Sequence, residues 1–344
     1  MTKTTAKAPA NIAFIKYWGK QNEKLRLPLN SSISMNLSNC YTITTVEFSK
    51  RFSEDFVEIR VIEAKNLLTA WPFGHLVGKK QEWKEKGRVI THLERIRRLA
   101  KSKLKAKVIS QNSFPISAGI ASSASGFAAL TLAASRAAGL NLKEHELSIL
   151  ARLGSGSACR SIPDGFVEWR KGKNSDESFA HSLYPADYWE LRDIVVLVRT
   201  QEKKASSTSG MKKVKTSPFL ILRLAGMDKR IKKLKKALKN KDFKLLGEII
   251  EKETINMHEV MITQKPALFY WSRKTKEIIQ TVQAWREKGL LVYFTIDAGP
   301  NVHLICQAKN EKKVTRELKK ISGIIDIIIN KPAKGAQLIN KHLF

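Results

Sequence analysis

The sequence predicts an α+β fold divided into two domains. Its 344 residues are enough to bury the cores of two domains. Patterns typical of strands and of helices alternate along the whole chain, and the chain changes character between residues 185 and 193, after which a new series of strands begins. We therefore predict a first domain over residues 1–188 and a second over residues 189–344.

The first domain opens with a buried strand from residue 8. Farther along, a two-residue alternation predicts strands and a 3.6-residue repeat predicts helices. Residues 27–37 are predicted to form a turn and a strand. The other predicted strands are residues 41–47, 56–62, 105–110 and 166–169. The predicted helices are residues 89–99, 127–138 and 144–152.

The second domain is predicted to begin with a strand at residues 194–199. A small-polar loop is predicted at residues 203–211. The predicted helices are residues 218–240, 242–258, 272–288 and 311–321. The remaining predicted strands are residues 290–295, 302–307 and 324–329. This order of helices and strands predicts an antiparallel α+β domain.

The charge of the chain is its main compositional anomaly. The formal net charge is +31, whereas the hydrophobic content of 43% is ordinary for a globular protein. Such a charge indicates either polyanionic partners or a lysine-rich proteome. The densest basic run, residues 229–239, carries Ile231, Leu234 and Leu238 at helical spacing. That spacing favours a solvated helix face over a nucleic-acid or membrane contact.

The cysteines and the apolar stretches argue against four classes of protein. Cys40, Cys159 and Cys306 are far apart and form no C-x-x-C pair, which predicts buried thiols rather than a disulfide framework or a structural zinc site. The longest apolar stretches, such as residues 127–134, are too short to span a membrane, and the first residues carry no apolar signal core. We expect a cytoplasmic protein.

Residues 112–126 form a small and uncharged stretch between a predicted strand and a predicted helix. Pro115 ends the strand, and Gly119 lets the backbone pass close to a bound group. Ser122 and Ser123 place hydroxyl and N–H groups at the helix start, where the helix dipole favours an anion. The stretch matches neither G-x-x-x-x-G-K-[ST] nor G-x-G-x-x-G, so by itself it predicts either a phosphate-binding loop or an ordinary serine-capped loop.

Two further segments concentrate groups that bind anions. Residues 11–20 gather amide, ammonium and phenol groups, which suit a phosphorylated ligand, although a surface hairpin would show the same spacing. Residues 154–161 bring two serines close to Arg160. This second segment indicates either one anion site or an arginine that caps a loop.

An aspartate at the end of a predicted strand is a candidate for proton transfer. Asp297 follows the strand at residues 290–295 and precedes Gly299 and Pro300, which fix a turn. A carboxylate in this position either forms an Asx turn or is held for chemistry. The spacing alone leaves both alternatives open.

Together these segments resemble the mevalonate diphosphate decarboxylase family, within the superfamily of small-metabolite (GHMP) kinases. The likeness runs over nearly the whole chain, and the motifs are jointly far more specific than any one of them. They are residues 11–20, 30–34, 121–124, 154–161, 206–211 and 297–301. The family implies an N-terminal α/β domain with a left-handed crossover, a ferredoxin-like C-terminal domain, an active site in the cleft between them, and a homodimer.

The resemblance implies ATP and Mg²⁺ as cofactors. It implies decarboxylation of mevalonate 5-diphosphate to isopentenyl diphosphate through transient phosphorylation of the C3 hydroxyl. The implied catalytic residues are Asp297, which faces that hydroxyl, Arg160, which holds the carboxylate, and Lys20. The implied substrate-binding residues are Asn11, Lys16, Tyr17, Lys20, Ser155, Ser157, Arg160 and Ser207. The implied nucleotide-binding residues are Ser110, Gly119, Ala121, Ser122 and Ser123, with Ser123 also at the metal.

The chain departs from the family pattern at two positions. Asp164 stands where the family usually has glycine, next to the anion-binding segment at residues 154–161. Ser209 stands where some members have glutamate. The added charge of Asp164 leaves open which number of substrate phosphates is preferred.

Three other functions remain open from the sequence. Two are enzymatic: a decarboxylase that acts on mevalonate 5-phosphate, and a mevalonate-type kinase that phosphorylates without decarboxylating. The third is a polyanion-binding protein on the same scaffold, which the net charge of +31 motivates.

Overall fold

The computed structural model describes residues 3–60, 79–115, 122–198 and 207–344, with the side chains of residues 79–85 excepted. Its strands are β1 (Thr4–Ile15), β2 (Lys20–Asn22), β3 (Leu27–Pro28), β4 (Ser32–Ser49), β5 (Phe56–Arg60), β6 (Lys105–Asn112), β7 (Phe166–Trp169), β8 (Ala180–Tyr184), β9 (Leu191–Leu197), β10 (Val292–Thr295), β11 (Val302–Gln307), β12 (Asp326–Asn330) and β13 (Gln337–Ile339). Its α-helices are α1 (Lys79–Leu99), α2 (Ser122–Ala137), α3 (Glu144–Gly154), α4 (Ser207–Met211), α5 (Phe219–Ala225), α6 (Met227–Lys239), α7 (Phe243–Thr263), α8 (Arg273–Glu287) and α9 (Glu311–Leu318). These elements confirm the predicted α+β class.

The larger of the two main sheets contains seven strands. Its order is β13-β1-β4-β6-β5, with β7 and β8 added along the first part of β4. Only β5 and β6 run parallel among these described strands. Helix α2 packs against β1 and β4, and its alanines let the helix approach the sheet closely. The Ser125 hydroxyl lies 2.7 Å from the Thr42 hydroxyl, so the first turn of α2 lies beside β4.

The smaller main sheet has the order β10-β11-β9-β12 and is antiparallel throughout. Both of its faces are buried, because successive residues of β9 alternate between two cores. Ile194 and Val196 pack with α8 and α9, whereas Val195 and Leu197 pack with α6 and α7. That second core also contains Phe14 of β1, so α6 and α7 connect the two sheets.

The two ends of the described chain lie together on the larger sheet. Strand β13 pairs antiparallel with β1, and Thr5 lies opposite Ile339. Beyond it, Nδ1 of His342 lies 2.6 Å from the Thr5 hydroxyl, and the Lys3 ammonium donates to the carbonyl of Phe344 at 2.9 Å. The last residues therefore complete a sheet that the first residues begin.

Several predicted elements are confirmed with small shifts at their ends, and three predictions are wrong. The strands predicted within residues 27–37 and at residues 41–47 form one continuous strand, β4. Residues 218–240 do not form one helix, because Gly226 ends α5 and begins α6. Glycine weakens a helix interior, which makes this the weakest point of the predicted helix. Residues 207–211, predicted as loop, form the short helix α4. Strands β2, β8 and β13 were not predicted from the sequence.

Two predictions about side chains are confirmed. Ile231, Leu234 and Leu238 are buried on one face of α6, whereas its lysines lie mostly on the exposed face. All three cysteines are buried thiols. Among the described helices, none has the length and apolar character needed to cross a membrane.

Candidate active site

A cleft lies where β1 ends and where the loop after α3, the start of α2, the helix α4 and the turn after β10 meet. Nine of the predicted site residues line it: Lys16, Tyr17, Lys20, Ser123, Ser155, Ser157, Arg160, Ser207 and Asp297. These residues are far apart in sequence, and five separate parts of the chain bring them together. We call the side formed by Lys16, Arg160 and Asp297 the Asp297 end, and the side formed by Tyr17, Lys20 and Arg26 the Lys20 end.

An ion pair forms the centre of the Asp297 end. The Lys16 ammonium donates to Oδ1 of Asp297 at 2.6 Å. Oδ2 of Asp297 has no hydrogen-bond partner in the described part of the chain, and 24% of the Asp297 side chain is exposed. Burial alone would raise the pKa of Asp297, but the charge and hydrogen bond of Lys16 lower it below its usual range. Asp297 is therefore ionised near neutral pH, with one oxygen left to accept a proton.

The backbone of Lys16 is held on both sides. Its N–H donates to Oε1 of Glu253 at 3.1 Å, and its carbonyl accepts from the Asn30 amide at 3.0 Å. Glu253 is fully buried in α7 and pairs with Arg223 at 2.5 Å. Arg223 in turn donates to the Lys16 carbonyl at 3.3 Å. Because Glu253 and Arg223 both hydrogen-bond to the main chain of Lys16, they fix the position of the backbone from which the Lys16 side chain reaches Asp297.

Arg160 is buried at the Asp297 end and is held by neutral oxygens. Its Nη1 donates to the Ser32 hydroxyl at 2.7 Å, while Nε and Nη2 donate to Oδ1 of Asn11 at 3.2 and 3.1 Å. No carboxylate lies within ion-pair distance of the guanidinium in the described residues. The positive charge of Arg160 is thus oriented but not neutralised, as a residue that receives an anionic ligand requires.

Asn11 lies behind Arg160 rather than on the cleft wall. Its oxygen accepts from Arg160, and its nitrogen donates to the Ser157 carbonyl and the Ser161 hydroxyl at 3.2 and 2.8 Å. Both ends of the amide are therefore occupied by protein groups. This geometry makes Asn11 a residue that orients Arg160 and the short 3-10 helix at Gly156–Ser161.

The Lys20 end is less completely paired. The Lys20 ammonium donates to Glu23 at 2.6 Å, and the Glu23 side chain is 52% exposed. The hydroxyl of Tyr17 is buried and has no hydrogen-bond partner among the described residues. Gly156 makes this arrangement possible, because a Cβ there would lie 2.7 Å from the Tyr17 hydroxyl. A buried donor without a partner is costly unless a ligand accepts from it.

The start of α2 brings one of the predicted nucleotide-binding serines to the cleft. The Ser123 hydroxyl faces the cleft and lies 3.0 Å from the Ser155 hydroxyl. Ser122 begins the helix, although its side chain is not part of the cleft wall. Ser110 lies in β6, where its hydroxyl bonds to Thr44 at 2.8 Å. Gly119 and Ala121 fall outside the described residues.

Three residues in and around the cleft were not predicted from the sequence. Arg26 adds a cation at the Lys20 end, and Met257 adds an apolar surface from α7. Glu253 lies beneath the cleft and organises Lys16. A possible signal for Glu253 was an acidic residue on a helix face that is otherwise apolar, because buried carboxylates usually have a structural or chemical partner.

The two departures from the family pattern can be located. The Asp164 carboxylate accepts a hydrogen bond from the Gly335 backbone at 2.7 Å and is not part of the cleft wall. Its negative charge is therefore used to anchor the chain near β13. Ser209 is exposed in α4.

His258 lies beside the turn that carries Asp297. Its Nε2 accepts from the Trp271 indole at 3.1 Å. Burial lowers the pKa of His258 to about 3, with a further decrease from the Lys16 charge, while Asp297 and backbone hydrogen bonds to Ile296 and Asp297 oppose the decrease. The ring is therefore neutral at physiological pH and acts as a fixed hydrogen-bonding group.

Comparison with known proteins gives consistent results for both halves of the chain. The family model for the diphosphomevalonate decarboxylase-like N-terminal domain matches residues 8–180, and the model for the mevalonate 5-diphosphate decarboxylase C-terminal domain matches residues 194–339. The diphosphomevalonate decarboxylase of Candida albicans is 35% identical over 341 residues, covering 94% of this chain and 89% of that protein.

Two solved structures are similar to nearly the whole chain. The mevalonate diphosphate decarboxylase of Staphylococcus aureus is 35% identical with a TM-score of 0.88, and the match covers 98% of each chain. A structure described as MDDEF in complex with MVAPP, AMPPCP and magnesium is 40% identical with a TM-score of 0.88. That match covers 98% of this chain and 99% of the other.

Proposed function

The chain belongs to the diphosphomevalonate decarboxylase family, and from this premise we propose that it converts mevalonate 5-diphosphate to isopentenyl diphosphate in an ATP-dependent decarboxylation. The observation that carries the proposal is the Asp297 end of the cleft. There, a free carboxylate oxygen lies beside Lys16 and in the same cleft as the unpaired guanidinium of Arg160. The reaction needs a proton acceptor and a carboxylate-binding group at one place.

Asp297 is suited to accept the proton of the C3 hydroxyl late in phosphoryl transfer. Its pKa is held low by Lys16, so it is a poor base toward an ordinary alcohol. Phosphoryl transfer proceeds through a loose transition state, in which the hydroxyl becomes acidic only as its oxygen bonds to phosphorus. Oδ2 of Asp297 then takes the proton, while Lys16 keeps the carboxylate in position.

The second half of the reaction removes phosphate and carbon dioxide together. The C3–O bond breaks and its electron pair leaves with phosphate, while the pair of the bond to the carboxylate carbon becomes the new double bond. Arg160 holds the substrate carboxylate through its remaining N–H groups, and Asn11 and Ser32 fix the plane of that fork.

The residues at the start of α2 fit the phosphates of a nucleotide and a metal. The Ser123 hydroxyl faces the cleft at a helix N-terminus, which favours anionic phosphate, and Lys20 lies on the same wall. Serine oxygen together with phosphate oxygens suits Mg²⁺, which prefers oxygen ligands. When bound, ATP supplies the phosphoryl group and Mg²⁺ neutralises phosphate charge. The similar structure with AMPPCP and magnesium supports this assignment.

The remaining assignments of the sequence analysis stay proposals. They are the roles of the individual site residues, the division into residues 1–188 and 189–344, a cytoplasmic location, and a homodimer. Sedimentation of the purified protein tests the dimer, and cell fractionation tests the location. A protease that cuts between the two parts and leaves two folded fragments would support the division.

The decisive experiment separates the reaction from its close alternatives. Mevalonate 5-diphosphate and mevalonate 5-phosphate are supplied side by side with ATP and Mg²⁺, and ADP and carbon dioxide are assayed separately. We expect both products in equal amounts with the diphosphate. Preference for the monophosphate would identify the other decarboxylase, ADP without carbon dioxide would identify a kinase, and no ADP with either substrate would reject the proposal.

A polyanion-binding role is tested on the same protein. The exposed lysines of α6 predict retention on nucleic acid that is independent of sequence and is lost as salt is added. Retention at physiological salt combined with no turnover would favour that role over the enzyme.

A further inference from the structure

The strongest unassigned feature of the cleft is Arg26. It lies in the connection between β2 and β3, in the left-handed region with φ 52°. Its Nε donates to the carbonyl of Leu153 at 3.0 Å, at the C-terminal end of α3. This bond directs the guanidinium toward the cleft wall that also contains Lys20, Ser123 and Ser155.

The rest of the Arg26 guanidinium is unoccupied within the described residues. Neither terminal nitrogen has a hydrogen bond to the described chain, and no carboxylate lies within 4.0 Å. Arginine presents five N–H groups, so four of them are available to a ligand. A planar fork with free donors is the arrangement that binds phosphate in a bidentate manner.

The charges around Arg26 also indicate an anionic ligand. Burial lowers the pKa of Lys20, and Arg26 and Lys212 lower it further, whereas Glu23 raises it. Burial likewise lowers the pKa of Arg26, and the charge of Arg88 adds to that effect. A cluster with more cations than anions is costly to desolvate, and an anion bound among them would offset the cost.

The charges that affect the pKa of Tyr17 come from both ends of the cleft. Arg26 and Glu23 act electrostatically on Tyr17 from the Lys20 end, and Arg160 acts on it from the Asp297 end. By contrast, the charges with the largest effects on the pKa of Asp297 are those of Lys16, His303 and Arg160. Arg26 contacts Leu153 at the C-terminal end of α3 and belongs to the Lys20 end of the cleft.

We propose that Arg26 binds the terminal phosphate of the substrate's 5-diphosphate and sets the preference for a diphosphate over a monophosphate. This inference rests on the proposed function for the identity of the substrate. A monophosphate has no second phosphate to reach Arg26 from the Asp297 end. Arg26 is thus a specificity residue and takes no part in the transfer of the phosphoryl group.

The test measures binding without turnover. Calorimetric titrations without nucleotide compare the wild type, Arg26→Leu and Arg26→Lys for mevalonate 5-diphosphate, mevalonate 5-phosphate and inorganic pyrophosphate. Hydrogen bonds to a charged group contribute about 1.5–3 kcal/mol, which corresponds to roughly 10- to 150-fold in affinity. We expect Arg26→Leu to lower the affinity for mevalonate 5-diphosphate and for pyrophosphate by that factor. The affinity for mevalonate 5-phosphate should fall by much less. Arg26→Lys should recover part of the loss.

Arg88→Leu is the matched control. Arg88 donates to the carbonyl of Gly154 at 3.3 Å, next to the Leu153 carbonyl that Arg26 contacts, but it does not line the cleft. If Arg88→Leu lowers the affinity for the diphosphate as much as Arg26→Leu does, the effect comes from the end of α3 and the proposal is wrong. Arg26→Gln serves as a second variant if Arg26→Leu does not fold.

Two further outcomes would overturn the proposal. Unchanged diphosphate affinity in Arg26→Leu rejects the role of Arg26 while leaving the proposed function intact if turnover persists. A loss confined to a parallel titration with ATP would assign Arg26 to the nucleotide instead. Failure of the wild type to turn over mevalonate 5-diphosphate, combined with tight pyrophosphate binding that depends on Arg26, would reject the proposed substrate but not the phosphate site.

Discussion

The two ends of the cleft differ in how completely their charges are satisfied by the protein. At the Asp297 end, Lys16 is buried, its backbone is bound by Glu253, and its ammonium is paired with Asp297. At the Lys20 end, the only carboxylate partner described is the half-exposed Glu23, and Arg26 has none. The difference indicates that the two ends are organised in different ways. One end is organised before ligand arrives, and the other is completed by the ligand's own charge.

The largest test of this comparison makes the same substitution at both ends. Glu253→Gln leaves Arg223 buried without its counter-charge, which should reduce the free energy of unfolding by about 3–5 kcal/mol. Glu23→Gln removes a partner that is exposed to solvent and should cost no more than about 1 kcal/mol. Urea denaturation of both variants gives the two values. Equal losses would mean that the ends are not differently organised.

Asp297→Asn tests the chemistry of the organised end. The amide keeps the size of the carboxylate but cannot accept the hydroxyl proton, so kcat should fall at least about 10²-fold while substrate affinity changes little. Steady-state rates and calorimetric affinities measure the two effects separately. Near-normal turnover with both ligands bound would favour the alternative that Asp297 only forms the turn.

Arg160→Lys tests whether the orientation of the guanidinium at the Asp297 end matters in addition to its positive charge. Lysine keeps the positive charge but loses the planar fork that Asn11 and Ser32 orient. We expect turnover to fall by about tenfold through misplacement of the carboxylate. Measurement of kcat with saturating substrate checks this expectation, and an unchanged kcat would show that charge alone is sufficient.

Near neutral pH, the smallest expected effect is a pH dependence of stability that His258 and His92 share. Burial lowers the pKa of each to about 3, compared with about 6.5 when unfolded. The contribution of each histidine to the free energy of unfolding is complete above about pH 6.5. It is lost as the pH falls toward 3, at up to about 1.4 kcal/mol per pH unit. His92→Gln and His258→Gln should flatten this dependence similarly, but only His258→Gln should lower kcat. Equal kcat values in the two variants would show that His258 does not help to organise the Asp297 end.

The sequence predicted the parts of the site that depend on residue type within a short segment. Lys16, Tyr17, Lys20, Ser155 and Arg160 lie in two motifs whose chemistry is apparent locally, and the structure brings both motifs to the cleft. The fold class followed from periodicity for the same reason, since the buried faces of β9 and α6 repeat within a few residues.

The sequence did not predict features that depend on long-range contacts. Glu253 contacts Lys16 across 237 positions of sequence, and no local pattern specifies that pairing. Strand β13 has three residues, too few for an alternation to be recognised, and forms because β1 offers it an edge. The helix break at Gly226 was visible as a glycine, but the surrounding helical pattern outweighed it.

The return of β13 to β1 determines when the larger sheet can be finished during synthesis. Strand β1 ends at Ile15 and its partner begins at Gln337, so about 320 residues must be translated between them. At roughly 5–20 residues per second, one edge of β1 stays without its partner for roughly 15–60 s after it leaves the ribosome. An unpaired edge is a site of aggregation in that interval. The larger sheet is therefore complete only after β13 has been translated and has paired with β1.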